Sequence, residues 1–196
     1  IQWWNKCEQA DYEKELEIVA RELKFSKEYV AIGEIGMDLY WDKTYLKEQQ
    51  IVLDKQVNWA LEYDLPIVIH CRDAFDYIYK VLEPYKKTPL RGIFHSFTGT
   101  AEEAARVLEF SDFFIGINGV VTFKKSHLPE ILAGIPLEKI VLETDSPYLA
   151  PIPYRGKRNE SSYLINVVNK LAEIYGMMPQ DVARITTENS KITFSI

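Results

Sequence analysis

The chain has 196 residues, of which 47% are hydrophobic and 27% are charged. This length suffices for one domain with a substantial core, and the sequence contains no apolar run near the roughly 18 residues of a membrane-spanning helix, so integral-membrane, collagen-like and low-complexity classes are excluded. The formal net charge of −6 argues against a simple basic nucleic-acid binder. Two cysteines, Cys7 and Cys71, are too few for a disulfide framework, so we expect a reduced, cytoplasmic protein with no membrane partner.

Short apolar segments alternate with longer amphipathic segments along the chain. Residues 11–27 carry apolar side chains at helical spacing and predict a helix before the first strand. The predicted strands cover residues 29–35, 65–70, 91–95, 113–118 and 139–145, and the predicted helices between them cover residues 45–62, 74–85 and 101–109. Continuous apolar strands that alternate with helices indicate parallel βαβ units covered on both faces. No low-complexity linker interrupts them, so we predict a single domain over residues 1–196.

The spacing of these units favours a TIM (β/α)8 barrel, which uses about 31 residues for each βα unit. Five units account for most of the chain. We therefore interpret the sequence as the C-terminal five βα units of a barrel that lacks about the first three. By the same reasoning, we expect the native polypeptide to carry a further stretch on the order of 60 residues before Ile1.

Four predicted strands end in a side chain that can bind a metal, namely Glu34, His70, His95 and Asp145. In a parallel barrel, the carboxyl ends of all strands meet at one rim, so two carboxylates and two imidazoles are expected to converge there. This ligand set suits Zn²⁺, Mn²⁺ or Mg²⁺. A carboxylate shared by two cations would complete the kind of binuclear site that catalyses in-line displacement at phosphorus.

Each of these residues also has a structural explanation when taken alone. A histidine after an apolar run is commonly a hydrogen-bonded core residue, and an acid after a strand is commonly a helix cap. The third histidine, His127, is interpreted as a solvated residue at a helix start. Cys71 is expected to face away from the His70 side of its strand and to be structural.

Basic side chains follow two of the candidate metal ligands. Arg155, Lys157 and Arg158 lie in a loop rich in proline and glycine after the Asp145 strand, and Arg72 follows His70 by two residues. A run of charges like this is often only a solvated surface. Beside a metal site it predicts a clamp for phosphate groups, which arginine can bind through two parallel hydrogen bonds.

Five segments together resemble the TatD-type metal-dependent deoxyribonucleases, in that family's order and over residues from about 30 to 189. They are IGEIGMD (32–38), PIVIHCRDA (66–74), GIFHSFTG (92–99), LETDSPYL (142–149) and RGKRN (155–159). The family opens with a strand that ends in a His-x-His pair, and this sequence contains no such pair.

The resemblance implies a TIM barrel with a binuclear site. It implies that Glu34 bridges two divalent metal ions, that His70 and His95 complete one site, and that Asp145 belongs to the other. The implied activity is phosphodiester hydrolysis of a DNA substrate, as a 3′–5′ exonuclease on single strands, with Asp145 and Glu34 as catalytic residues.

Two alternatives stay open at this point. One is a related barrel hydrolase that cleaves a small amide, lactone or aminoacyl ester, which would not require the basic residues at 155–158. The other is a non-catalytic, truncated remnant, suggested by the missing His-x-His pair. No obligate protein partner is evident. The aromatic residues Tyr40, Phe97 and Tyr148 follow strand ends and are expected either to stack on bases or to pack in the barrel.

Overall fold

The computed structural model describes residues 11–196, so predictions that rest on Cys7 lie outside the described residues. The chain divides into two compact units, Ile1–Gly92 and Ile93–Ile196, which we call unit 1 and unit 2. The prediction of one domain over residues 1–196 stays a prediction, as does the absence of about three βα units.

Within the described part of the chain, unit 1 contains two parallel strands and three α-helices, the first of which precedes the strands. Its described elements are α1 (Tyr12–Phe25), β1 (Ile32–Asp38), α2 (Leu46–Tyr63), β2 (Ile67–Arg72) and α3 (Phe75–Leu82). Strands β1 and β2 pair in parallel, with Gly36 opposite His70 and Asp38 opposite Arg72. Just before the next strand begins, the carbonyl of Arg91 accepts a hydrogen bond from the Ile67 amide at the start of β2.

The predicted helices of unit 1 are confirmed. Asp11 caps α1 by accepting a hydrogen bond from the Lys14 amide at 3.3 Å, and Leu16 and Leu23 bury the same face two turns apart. The apolar face of α2 packs on β1, and α2 ends where Asp64 adopts a left-handed conformation with φ 53°.

The predicted position of Glu34 at a strand end is wrong. Strand β1 starts later than predicted and continues to Asp38, and its register with β2 shifts between Ile32 and Ile35, so that Glu34 lies at a bulge inside the strand. Gly36 makes this path possible. Its φ is +128°, and a Cβ there would lie 2.0 Å from the carbonyl oxygen of His70.

Two other strand-end positions also differ from the prediction. His70 is the fourth of six residues in β2, because the parallel pairing continues through Cys71 to Arg72. The last strand ends at Leu142, so Asp145 lies in the following loop, with φ 58°. His95 follows its strand directly, as predicted.

Unit 2 contains three short strands and four α-helices among the described residues. They are β3 (Gly92–Phe94, whose first residue closes unit 1), α4 (Ala101–Val107), β4 (Phe113–Ile117), α5 (Leu128–Leu132), β5 (Ile140–Leu142), α6 (Leu164–Tyr175) and α7 (Pro179–Phe194). Strands β3, β4 and β5 lie side by side in chain order, and β4 pairs in parallel with β5. Every residue of β4 is buried, which is typical of a strand covered on both faces.

None of the helices within residues 11–196 has both the length and the apolar character needed to cross a membrane.

Candidate metal and phosphate site

His70 in β2 has a carboxylate beside each of its ring nitrogens. Its Nδ1 lies 3.0 Å from Glu34 Oε1, and its Nε2 lies 3.2 Å from Asp38 Oδ2. The Asp38 side chain is 15% exposed, whereas that of Glu34 is 42% exposed. The more buried carboxylate, Asp38, therefore supports the ring at Nε2. The more exposed carboxylate, Glu34, lies beside Nδ1.

His95 in unit 2 has the same kind of surroundings. Its Nδ1 lies 2.9 Å from Glu143 Oε2, and its Nε2 lies 3.6 Å from Asp145 Oδ1. The second oxygen of Glu143 accepts a hydrogen bond from the Ser96 amide. A Cβ at Gly116 would lie 2.9 Å from the Glu143 carboxylate, so the glycine in β4 leaves room for this acid.

Each histidine thus has a largely buried carboxylate beside one ring nitrogen, which we call its backing carboxylate. The other nitrogen lies beside a carboxylate that the sequence predicts to be a metal ligand. A backing carboxylate selects the tautomer and fixes the ring plane of metal-binding histidines. Sequence reasoning missed both backing residues, Asp38 and Glu143. Both residues lie within the segments that resemble the family. The sequence feature that could have indicated them is an acidic residue a few positions from a predicted ligand.

The residues at these positions fit a divalent cation. Two ligand atoms at about 2.1 Å from one tetrahedral ion are about 3.4 Å apart. The distances between Glu34 and His70 and between His95 and Asp145, 3.0 and 3.6 Å, lie on either side of that value. Imidazole nitrogen with carboxylate oxygen is a donor set suited to Zn²⁺ or Mn²⁺, and the carboxylates also suit Mg²⁺.

A buried asparagine that the sequence reasoning missed fixes the loop that carries Asp145. Asn159 is 2% exposed, and its Nδ2 donates to the carbonyl oxygens of Thr144 at 2.8 Å and Tyr148 at 2.7 Å. Its backbone amide donates to the carbonyl of Pro147 at 3.0 Å. The end of the basic loop is therefore tied to both sides of Asp145.

The predicted basic loop residues are exposed, and two of them lie over aromatic rings. The Arg155 guanidinium is 4.4 Å from the ring centroid of Phe123, and Lys157 Nζ is 5.9 Å from that of Tyr154. Tyr154 is itself stacked on Tyr163 at 3.9 Å. The rings hold the loop while its cationic groups, including Arg158, stay in contact with solvent.

The aromatic residues predicted near the site, and His127, differ in their exposure to solvent. Phe97 is only 6% exposed, which favours packing over base stacking, the two alternatives that the sequence leaves open for it. Tyr40 and Tyr148 are exposed, and the Arg72 guanidinium lies 3.9 Å over the Tyr40 ring. His127 is exposed and directly precedes α5, which confirms its interpretation as a solvated residue at a helix start.

Parallel α/β strands with imidazole–carboxylate pairs near their carboxyl ends define a metal-dependent hydrolase. Residues 5–195 match the family described as TatD related DNase, and the chain belongs to this family. The family and the α/β fold class predicted from the motifs are thereby confirmed.

Named relatives have similar sequences over most of the chain. An uncharacterized metal-dependent hydrolase, YabD of Bacillus subtilis, is 39% identical over 194 residues, which are 98% of this chain and 76% of the relative. A protein named 3′-5′ ssDNA/RNA exonuclease TatD, from Citrobacter rodentium, is 35% identical over 86% of this chain and 66% of its own length. The crystal structure of YJJV, a TatD homolog from Escherichia coli, has a TM-score of 0.88 and 28% identity, covering 99% of this chain and 73% of that one.

Proposed function

We propose that this protein is a metal-dependent phosphodiesterase that hydrolyses DNA, as a 3′–5′ exonuclease on single strands. The observation that carries the proposal is the paired arrangement at His70 and His95, each backed by a largely buried carboxylate and each beside a carboxylate of a family motif. The relative named as a 3′-5′ ssDNA/RNA exonuclease supports the choice of substrate.

In this proposal, Glu34, His70, His95 and Asp145 would hold two divalent metal ions (Mg, Mn or Zn), with Glu34 as the ligand that the two would share, as the family resemblance implies. The chemistry that such ions supply is a lower pKa for coordinated water and stabilisation of the charge that develops on the phosphate. The chain itself contributes the orientation of the ligands and the handling of the proton. The Asp145 carboxylate, 33% exposed and held by its loop, would accept the proton of the attacking water.

Substrate binding rests on local positive charge, because the chain as a whole carries a net charge of −6 and repels polyanions. Arg155, Lys157 and Arg158 are exposed on a loop that is tied to the Asp145 loop, and Arg72 is exposed at the end of β2. We assign these four side chains to the phosphates of the substrate. A neutral amide, lactone or aminoacyl ester would not require them.

The proposal is tested with single-stranded oligonucleotides labelled at either end, in Mg²⁺ or Mn²⁺, beside a neutral ester such as p-nitrophenyl acetate. We expect mononucleotides to be released from the 3′ end and the ester to be a poor substrate. Faster turnover of the neutral ester than of any oligonucleotide would favour the small-substrate hydrolase. Inactivity toward both, with a folded chain and bound metal, would favour a non-catalytic remnant. Cytoplasmic location and the absence of an obligate protein partner stay predictions.

A further inference from the structure

The loop between β1 and α2 presents a cluster of flat groups to solvent, and the function proposed above does not account for all of it. Trp41 is 73% exposed and Tyr40 is 50% exposed, and their ring centroids are 4.6 Å apart with the planes at 88°. The Arg72 guanidinium lies 3.9 Å from the Tyr40 centroid and 5.9 Å from the Trp41 centroid. We call Tyr40, Trp41 and Arg72 the aromatic platform.

The platform is held by a loop with a fixed backbone. Leu39 is 2% exposed, and its amide continues the pairing of β1 with β2 by donating to the Arg72 carbonyl at 2.9 Å. On the other side of Trp41, the Asp42 carboxylate accepts hydrogen bonds from the Thr44 amide at 2.8 Å and from its hydroxyl at 2.6 Å. The indole is therefore exposed on a preorganised loop, which lowers the entropic penalty of binding a ligand.

The platform is also linked directly to a candidate metal ligand. The two carboxylate oxygens of Asp38 divide their contacts, since Oδ1 accepts from the Tyr40 amide at 3.1 Å and Oδ2 lies 3.2 Å from His70 Nε2. The Asp38 side chain thus contacts both the backbone of the platform and the His70 ring. Scattered exposed aromatics are ordinary on protein surfaces, but an aromatic pair with a stacked cation next to a candidate reaction centre indicates a binding subsite.

We propose that the aromatic platform binds an unpaired nucleotide of single-stranded nucleic acid, with the base stacked on Trp41 and a neighbouring phosphate bound by Arg72. An exposed indole face stacks on any base without reading its identity, and a duplex does not offer its bases in this way. A guanidinium stacked on a ring keeps its N–H groups in its own plane, where they can bind phosphate. This inference rests on the proposed function, because it assigns a substrate subsite to the same reaction.

Titration of a short dye-labelled thymidine oligonucleotide with the full chain, followed by fluorescence anisotropy of the dye, tests the subsite. Phosphorothioate linkages slow hydrolysis, and a gel confirms that the oligonucleotide stays intact. We expect Trp41→Ala to weaken binding about tenfold and Trp41→Phe to weaken it less. Trp41→Phe should also remove most of the quenching of tryptophan emission that the oligonucleotide causes, even though the other three tryptophans are still present. Phe25→Ala, at a residue that is 78% exposed in the same unit, is the matched control and should bind normally.

An oligonucleotide of the same length without bases separates stacking from phosphate binding. It should bind the unaltered chain weakly and should not distinguish Trp41→Ala from it. Equal binding of thymidine and abasic oligonucleotides would overturn the subsite, as would normal thymidine binding by both Trp41 variants. An effect of Trp41→Ala on sedimentation alone would assign the surface to a second copy of the chain and would also overturn it. Hydrolysis by the unaltered chain decides the proposed function separately, so either idea can fail without the other.

Discussion

The Glu143 carboxylate spans His95 and the start of the following loop, with Oε2 at 2.9 Å from His95 Nδ1 and the other oxygen bonded to the Ser96 amide. A carboxylate in this position stabilises the tautomer that carries its proton on Nδ1, which leaves Nε2 as the nitrogen available to a metal. The ring is only 14% exposed, so its plane is set by this contact and by packing.

Glu143→Gln should therefore lower metal affinity about 10- to 100-fold, the range found when such supporting groups are removed. The amide keeps the shape of the side chain but loses its charge, so the fold should persist. Metal titration by calorimetry measures the affinity, and ¹⁵N NMR of the imidazoles reports the tautomer, which is practical because the chain contains three histidines. Glu188→Gln, at an exposed α7 residue paired with Lys191, is the control. An unchanged His95 tautomer and affinity would contradict the assignment.

Glu34→Ala should remove more metal than His95→Ala. The resemblance assigns Glu34 to two ions and His95 to one, so the first variant should lose affinity at both sites and the second at one. Calorimetric titration with Mn²⁺ gives the stoichiometry of each variant. Loss of one equivalent from both variants would show that Glu34 does not bridge.

Asn159→Ala should destabilise the loop that carries Asp145. The substitution removes two donated hydrogen bonds and leaves the Thr144 and Tyr148 carbonyls without these partners, which should lower the free energy of unfolding by about 1–3 kcal/mol. Activity should fall further than this loss of stability explains, because Asp145 is no longer held in place. Urea denaturation and turnover are the measurements. The control is Asn166→Ala, which removes one hydrogen bond, donated by Asn166 Nδ2 to the Tyr163 carbonyl. Equal effects of the two substitutions would contradict the special role of Asn159.

Arg155→Ala combined with Arg158→Ala should weaken binding of single-stranded DNA and flatten its salt dependence. Each arginine that no longer neutralises a phosphate should reduce the slope of log K against log salt by about 0.7 for a single strand. Metal content should not change. The double variant Arg184→Ala with Lys191→Ala, at exposed α7 residues, removes the same charge elsewhere. A similar change of slope in both double variants would mean that only net charge matters.

The sequence predicts the helices α1 to α4 and the position of every described strand to within a few residues, because apolar runs and helical spacing are local signals. It does not predict that Glu34 lies at a bulge, since the register shift depends on how β1 pairs with β2. Of the later helices, only the start of α5 at His127 is predicted. Helices α6 and α7 are absent from the prediction, although α6 buries Val167, Val168, Leu171 and Ala172 at helical spacing.

The candidate ligands can be recognised in the sequence, whereas the residues that support them cannot. His70, His95, Glu34 and Asp145 can be recognised from residue type and position after apolar runs. Asn159 cannot be recognised in this way. Its hydrogen bonds to the Asp145 loop depend on the path of the chain through residues 151–158, which brings Asn159 back beside that loop. The choice between stacking and packing for Phe97 also depends on tertiary structure, since its place after a strand does not determine whether its ring is buried.

Metal-dependent hydrolysis of single-stranded DNA is tested by removing and restoring the metal. The chain is treated with excess chelator, and release of mononucleotides from a 3′-labelled oligonucleotide is followed before and after Mg²⁺ or Mn²⁺ is restored. We predict that activity disappears with the chelator and returns with the metal, because uncoordinated water is too weak an acid to supply a hydroxide nucleophile at neutral pH. Undiminished release in excess chelator would contradict it.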